Sequence, residues 1–148
     1  MTIYLGSDHR GFKLKELIES QLKAHGHVVH DLGNDHYDET DDYPEFAHRV
    51  AEKVSANPAS FRGIVLCGSG VGVDIVANKF DGIRSALVSS VEQAFASRND
   101  DDANVLALAS DYLTPKQAQS IVKVWLETPF SEDERHKRRL GEIEELEK

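Results

Sequence analysis

The chain holds a single cysteine, so no disulfide can form within it, and a lone thiol fits a reducing compartment. Positive charge is also scarce: 17 lysines and arginines stand against 26 aspartates and glutamates, for a net charge of −9. That balance excludes a general nucleic-acid binder, which needs a cationic field. No apolar run approaches the roughly 18 residues of a membrane helix. The opening stretch, Met1 to Gly6, goes straight into a strand pattern and lacks the form of a secretory leader. The expectation is a cytoplasmic protein with neither membrane nor nucleic acid as partner. Low-complexity tracts, internal repeats and linkers are missing too. With 148 residues there is enough chain for one full core, so a single domain over 1–148 is expected.

What is present is an alternation of short apolar runs and helical spacings. Ile3 to Leu5 reads as a strand, and Leu14, Leu17, Ile18 and Leu22 follow at helical intervals up to a stop at Gly26. Val28 begins a second strand that ends near Leu32, followed by an acidic loop from Gly33 to Asp42. Pro44 opens a helix carrying Phe46, Val50 and Val54, which Asn57-Pro58 ends. Ile64 to Leu66 is a third strand without polar alternation, as expected of a strand buried on both faces. A helix over Val73–Lys79, a strand over Ser85–Val88, a helix with Val91 and Phe95, and a strand over Val105–Ala109 come next. Thr114-Pro115 starts a long helix with Ala118, Ile121, Val122, Trp125 and Leu126 on one face. Strands alternating with helices predict an α/β fold whose parallel sheet is covered on both sides. Ligands then bind at the carboxyl ends of the strands, where Gly6 to Gly11, the Cys67 turn and Ser89-Ser90 fall. The last segment, Ser131 to Lys148, spaces Leu140, Ile143 and Leu146 three apart. It predicts a narrow amphipathic helix that needs a surface to lie on, within the chain or on a partner subunit.

The densest chemistry lies in Cys67-Gly68-Ser69-Gly70-Val71-Gly72. Closely spaced glycines let a backbone approach an anion, and the helix that follows offers free N–H groups. A cysteine there is either a small buried hydrophobe or, favoured by the helix start, a thiolate base or nucleophile. The spacing is not the dinucleotide G-x-G-x-x-G, the Gly-Lys-Ser/Thr of a Walker loop is absent, and position 73 is Val where a phosphatase loop has arginine. Asp8 and His9 follow the first strand and should stand beside this turn if the two strands are neighbours. Asp8 alternatively caps the next helix, with His9 merely solvated. Arg135 and Arg139, four apart in the one dense cationic run, share a helix face and can grip one phosphate. Asp100-Asp101-Asp102 fit no calcium loop, so no metal is expected there.

Taken together, Gly6 to His9 with Gly11, Thr40 to Pro44, Cys67 to Gly72, Ala77 to Lys79, Gly82 to Arg84, Asn104 to Ala107 and Arg135-His136 with Arg139 resemble the ribose-5-phosphate isomerase B and galactose-6-phosphate isomerase group of aldose–ketose isomerases. The likeness covers nearly the whole chain. It implies a Rossmann-like three-layer α/β/α fold with a five-stranded parallel sheet and an extra C-terminal helix, about 132–148, packed on a partner. It implies a homodimer or homotetramer whose active sites are shared between subunits, a sugar phosphate as substrate, and no metal or organic cofactor. Ribose 5-phosphate is the default sugar. Cys67 takes the place of the family's proton-abstracting base; the branch that lacks this cysteine has a Glu where Val73 stands. Gly68, Ser69, Gly70, Val71 and Gly72 would stabilise the enediolate, Asp8 and His9 would contact substrate, and Arg135 and Arg139 would hold the phosphate. The chain departs from the pattern where the family has His-Asn and here has Asp100 and Asp101, and where a family arginine is replaced by Asp111. Those acidic positions open three readings: ribose 5-phosphate with Asp100 in the ring-opening role, a different sugar such as a tetrose 4-phosphate, a hexose 6-phosphate or a weakly phosphorylated one, or a subunit that binds a sugar phosphate without turning it over.

Overall fold

The structure is a computed structural model that describes Met1–Lys148. Five strands, β1 (Thr2–Ser7), β2 (Val28–Asp31), β3 (Phe61–Cys67), β4 (Ser85–Leu87) and β5 (Val105–Ala109), form one sheet in the order β2-β1-β3-β5-β4. Every pairing is parallel. Six helices connect and flank the strands: α1 (Phe12–Ala24), α2 (Tyr43–Ser55), α3 (Val71–Ala77), α4 (Val91–Asn99), α5 (Pro115–Glu127) and α6 (Glu134–Glu145). None is long and apolar enough to cross a membrane.

Side-chain alternation along the central strands makes the three layers. Ile3 and Leu5, Ile64 and Leu66, and Leu106 and Leu108 point to one face, where they meet Ile18 and Leu22 of α1, Ala94 of α4, and Ile121 and Trp125 of α5. Val65, Cys67, Val105 and Ala107 point to the other face and pack on Val50 and Val54 of α2 and Val73 and Ala77 of α3. A strand with apolar residues on both faces needs cover on both, which is why these runs show no polar alternation. Burying a side chain of this size contributes about 1.5–3 kcal/mol, so the central strands anchor the fold. Cys67 lies on the α2/α3 face at the carboxyl end of β3.

Most elements fall where the sequence places them, with shifts at their ends. β1 and β3 are longer than their apolar runs because their ladder continues from Thr2↔Phe61 to Ser7↔Leu66. The third helix starts at Val71 rather than Val73 because Gly70, at φ 74°, turns the chain in the left-handed region and lets the helix begin at once. A 3-10 turn over His9–Gly11 stands between β1 and α1, capped by Asp8, whose Oδ1 accepts from Gly11 N–H at 3.1 Å. The long helix α5 opens on a full capping box between Thr114 and Gln117.

The C-terminal helix barely touches its own chain. Only His136 is buried along α6, while Ile143 and Leu146 stay exposed. It runs beneath the amino ends of the strands: Ser131 N–H donates to the Asn99 carbonyl at 3.1 Å, and Glu147 accepts from Gly82 N–H at 3.0 Å.

Candidate functional site

The carboxyl ends of β1 and β3 are adjacent, so Asp8, His9 and Arg10 come to stand beside the Cys67 turn, as parallel pairing requires. Between them lies a cleft of about 270 Å³, walled by Cys67, Gly68, Ser69 and Gly72 on one side and by Asp8, Arg10 and Tyr43 on the other. Cys67 is 4% exposed, and its sulfur accepts from Gly70 N–H at 3.2 Å. A backbone donor aimed at that sulfur suits a side chain that works with negative charge. The first N–H groups of α3 have no acceptor within the helix, and its first two residues, Val71 and Gly72, line the same cleft. Ser69 Oγ holds the turn by accepting from Val71 N–H at 3.3 Å.

At two glycines here, side chains close in on the backbone. A Cβ on Gly68 would overlap the guanidinium of Arg10, and one on Gly72 would overlap the ring of Tyr43. The turn is thus flat enough for these two side chains to close over it. The loop after β5 braces it from below: Ser110 N–H donates to the Cys67 carbonyl and Asp111 N–H to the Gly68 carbonyl, each at 3.0 Å, while Ser110 Oγ donates to the Arg10 carbonyl at 2.9 Å.

Asp8 both caps and faces the cleft, so the two readings of this residue hold together. Burial pushes its carboxyl above the ordinary range, opposed by the Gly11 N–H. His9 is not merely solvated. Its backbone N–H donates to Asp41 Oδ1 at 2.8 Å, and its Nδ1 lies 2.8 Å from the same oxygen. That hydrogen bond, with the nearby charge of Asp8, raises the imidazole above its usual value. Asp41 is itself held by Asn34, whose Nδ2 donates to Oδ2 at 2.8 Å.

Asp111 does not stand open in the cleft: its carboxylate forms an ion pair with Arg10. Arg10, Tyr43 and Asp41 are functional candidates that sequence reasoning passed over. Arg10 immediately follows Asp8-His9, and Asp41 and Tyr43 lie inside the Thr40–Pro44 segment. Their positions were visible in the sequence, but the folding of the acidic loop over the β1 end was not.

The remaining expected site residues lie elsewhere. Asp100 and Asp101 precede β5 and so sit at the amino end of the sheet. They are separated from Cys67, the register partner of Ala109, by the length of β5, whose five residues rise roughly 3.3 Å each. Asp100 accepts from Asn99 Nδ2 at 2.8 Å and lies 3.8 Å from Nε2 of buried His136, whose Nδ1 meets Ser131 Oγ at 2.6 Å. Arg135 and Arg139 project from α6 into solvent beside this group. Asp102 is structural: at φ 45° it accepts from Arg98 at 2.7 Å and Arg84 at 3.1 Å, fastening the loop before β5. One chain therefore carries two separate clusters, a Cys67 cleft at one end of the sheet and an Asp100–Arg139 group at the other.

Comparison with known proteins gives a consistent picture. The profile of the Ribose/Galactose Isomerase family matches residues 3–143. The probable ribose-5-phosphate isomerase B of Mycoplasma genitalium is 44% identical over 146 residues, covering 99% of this chain and 95% of that protein. Ribose-5-phosphate isomerase B of Mycobacterium tuberculosis H37Rv is 41% identical over 148 residues, covering 100% of this chain and 91% of that one. Among solved structures, Mycoplasma genitalium ribose-5-phosphate isomerase B with bound ribulose-5-phosphate superposes with a TM-score of 0.96 at 42% identity, covering 99% of this chain and 95% of the other.

Proposed function

Because this chain belongs to the ribose/galactose isomerase family, we propose that it interconverts ribose 5-phosphate and ribulose 5-phosphate by proton transfer at the Cys67 cleft. The observation that carries the reading is the cleft itself, with a sulfur receiving a backbone N–H next to a glycine turn that presents further donors.

In this mechanism Cys67, as thiolate, removes the proton from C2 of the open-chain aldose. The electron pair left behind forms the C1–C2 double bond of a cis-enediolate, and the former carbonyl oxygen takes up negative charge. The Ser69 hydroxyl meets that charge together with the N–H groups of the turn that are not already engaged by the Cys67 sulfur and Ser69 Oγ, those of Gly68, Ser69 and Gly72. Donors fixed before the charge appears need no reorganisation when it forms, which is the usual source of a large share of such rate enhancement. The hydroxyl proton on O2 then passes to O1, the C2–O2 bond becomes the carbonyl, and return of the carbon-bound proton from Cys67 to C1 completes the ketose.

A second copy of the chain completes the site. The Cys67 cleft lacks a phosphate clamp of its own kind on α6, and the α6 clamp lacks a base. Each chain thus offers one half to a neighbour, in a homodimer or homotetramer. Arg135 and Arg139 of the neighbour hold the phosphate, four apart on one helix face. Asp100 of the neighbour, backed by His136, takes the ring-opening role, with Asp101 beside it. Apolar side chains exposed near the cleft, including Val71, Ile75 and Leu87, supply surface for the contact.

The test is direct. Cys67→Ala is expected to abolish exchange of the C2 proton of ribose 5-phosphate with deuterated solvent, followed by proton NMR, while the variant still folds. Exchange that continues in Cys67→Ala would remove the cysteine from the mechanism. Absence of ketose formation from ribose 5-phosphate, erythrose 4-phosphate and allose 6-phosphate by the unaltered protein would remove the isomerase reading altogether.

A further inference from the structure

Arg10 is the one cation of its own chain on the wall of the Cys67 cleft. Its guanidinium lies flat against Gly68, where even a methyl group would displace it. Asp111 takes one end of the fork through Nη2, and Asp111 is in turn fixed by its N–H bond to the Gly68 carbonyl. The Arg10 backbone is tied to the same loop by Ser110 Oγ. The residue is therefore held at its backbone and at one end of its fork, which keeps the guanidinium at one place on the cleft wall.

Stability does not account for this arrangement. The Arg10 and Asp111 side chains are 55% and 36% exposed, and a pair so wet contributes little to folding. A guanidinium has five donor hydrogens, and a carboxylate on one end leaves others for a second anion. The cleft also holds the carboxylate of Asp8, with Asp41 just behind His9. Without Arg10, a doubly charged phosphate ester would enter a site whose nearest fixed charges are mostly negative.

We propose that Arg10 is a substrate-binding residue of this enzyme, gripping the phosphate of the sugar from the Cys67 side, and that Asp111 is the positioning residue that aims it. The acidic residue at position 111 is then no obstacle to an anionic substrate, because it acts through the arginine it holds. This rests on the isomerase reading above and names a specificity determinant within it. Arg10 makes the preference for a phosphorylated sugar a property of both halves of the shared site.

The experiment compares unaltered protein, Arg10→Ala, Asp111→Asn and the double variant in ribose 5-phosphate turnover, and measures calorimetric binding of ribose 5-phosphate to each in a Cys67→Ala background. Arg10→Ala is expected to raise KM and the dissociation constant about tenfold or more, the loss of one charge-assisted contact. The value of kcat should change far less. Asp111→Asn should raise KM by a smaller factor, and the double variant should be no worse than Arg10→Ala alone, since Asp111 acts only through Arg10. If the double variant regains the unaltered KM, Arg10 merely neutralises Asp111 and the proposal falls. An unchanged dissociation constant in Arg10→Ala also overturns it. If the unaltered protein turns over no sugar phosphate, the isomerase reading fails, while the binding series still decides whether Arg10 grips phosphate.

Discussion

A single carboxylate, Asp41, fixes both the place and the charge of His9. It receives the histidine's N–H and its ring nitrogen on one oxygen and Asn34 on the other. The resulting rise of the imidazole above its ordinary value has a definite consequence for stability. A histidine whose value rises on folding contributes stability that is full below the unfolded value, 6.5, and is lost as pH climbs through the folded value. Asp41→Asn is therefore expected to cost most near about pH 6 and progressively less toward about pH 9, where the ion pair is gone and only the hydrogen bonds that the carboxylate accepts remain to be lost. Urea unfolding of both proteins across that range measures the gap; a gap independent of pH would mean that the contact is geometric and not ionic. That Asp8 and His9 would stand beside the Cys67–Ser69 turn was legible in the sequence, because both segments follow strands of one parallel sheet. The role of Asp41 was not, since its partner is 32 positions away and only the fold of the acidic loop brings the two together. The same holds for Arg10 and Asp111, 101 positions apart.

Among the elements, the turn that joins β3 to α3 is the one on which chemistry and backbone geometry depend together. Gly70 occupies the left-handed region, and a Cβ there would lie 2.5 Å from Leu87 Cδ1 and 3.0 Å from the Leu108 carbonyl carbon. Leu87 can swing aside, but the β5 backbone cannot. Gly70→Ala is expected to lose about 1–3 kcal/mol of stability, read by chemical denaturation. It should also lower kcat more than it raises KM, because relief of the strain moves the Gly70 N–H away from the Cys67 sulfur. Stability and turnover both equal to those of the unaltered protein would show that this backbone conformation is dispensable. Strands and helices were readable where burial imposes a pattern: Ile64 to Leu66 announced a doubly covered strand, and Ala118, Ile121, Val122 and Trp125 announced one face of α5. Element ends were less readable, because the ladder between β1 and β3 and the positive φ of Gly70 set them, not hydrophobic period. The helix α6 was foreseen as a helix in want of a surface. With only His136 buried, its own chain does not supply that surface.

At the scale of the whole molecule, charge and topology lead to the same arrangement. The protein carries a net charge of −9, so an anionic substrate needs its cations concentrated where it binds. The dense cationic run is on α6, under the amino ends of the strands, while Cys67 and its glycine turn are at the carboxyl ends. A twofold pairing that sets α6 of one chain over the Cys67 cleft of the next would satisfy both, and would cover the exposed leucine and isoleucine of that helix. Mixing two crippled chains tests it. Cys67→Ala removes the base, and Arg135→Ala with Arg139→Ala removes the clamp; each protein alone is expected to be nearly inactive. Unfolded together and refolded at equal concentration, half of the dimers are hybrids. In each hybrid one site collects both lesions and the other collects none. Activity should therefore return to about a quarter of that of the unaltered dimer. If base and clamp instead served one substrate within the same chain, every site in the mixture would keep one lesion and no activity would return.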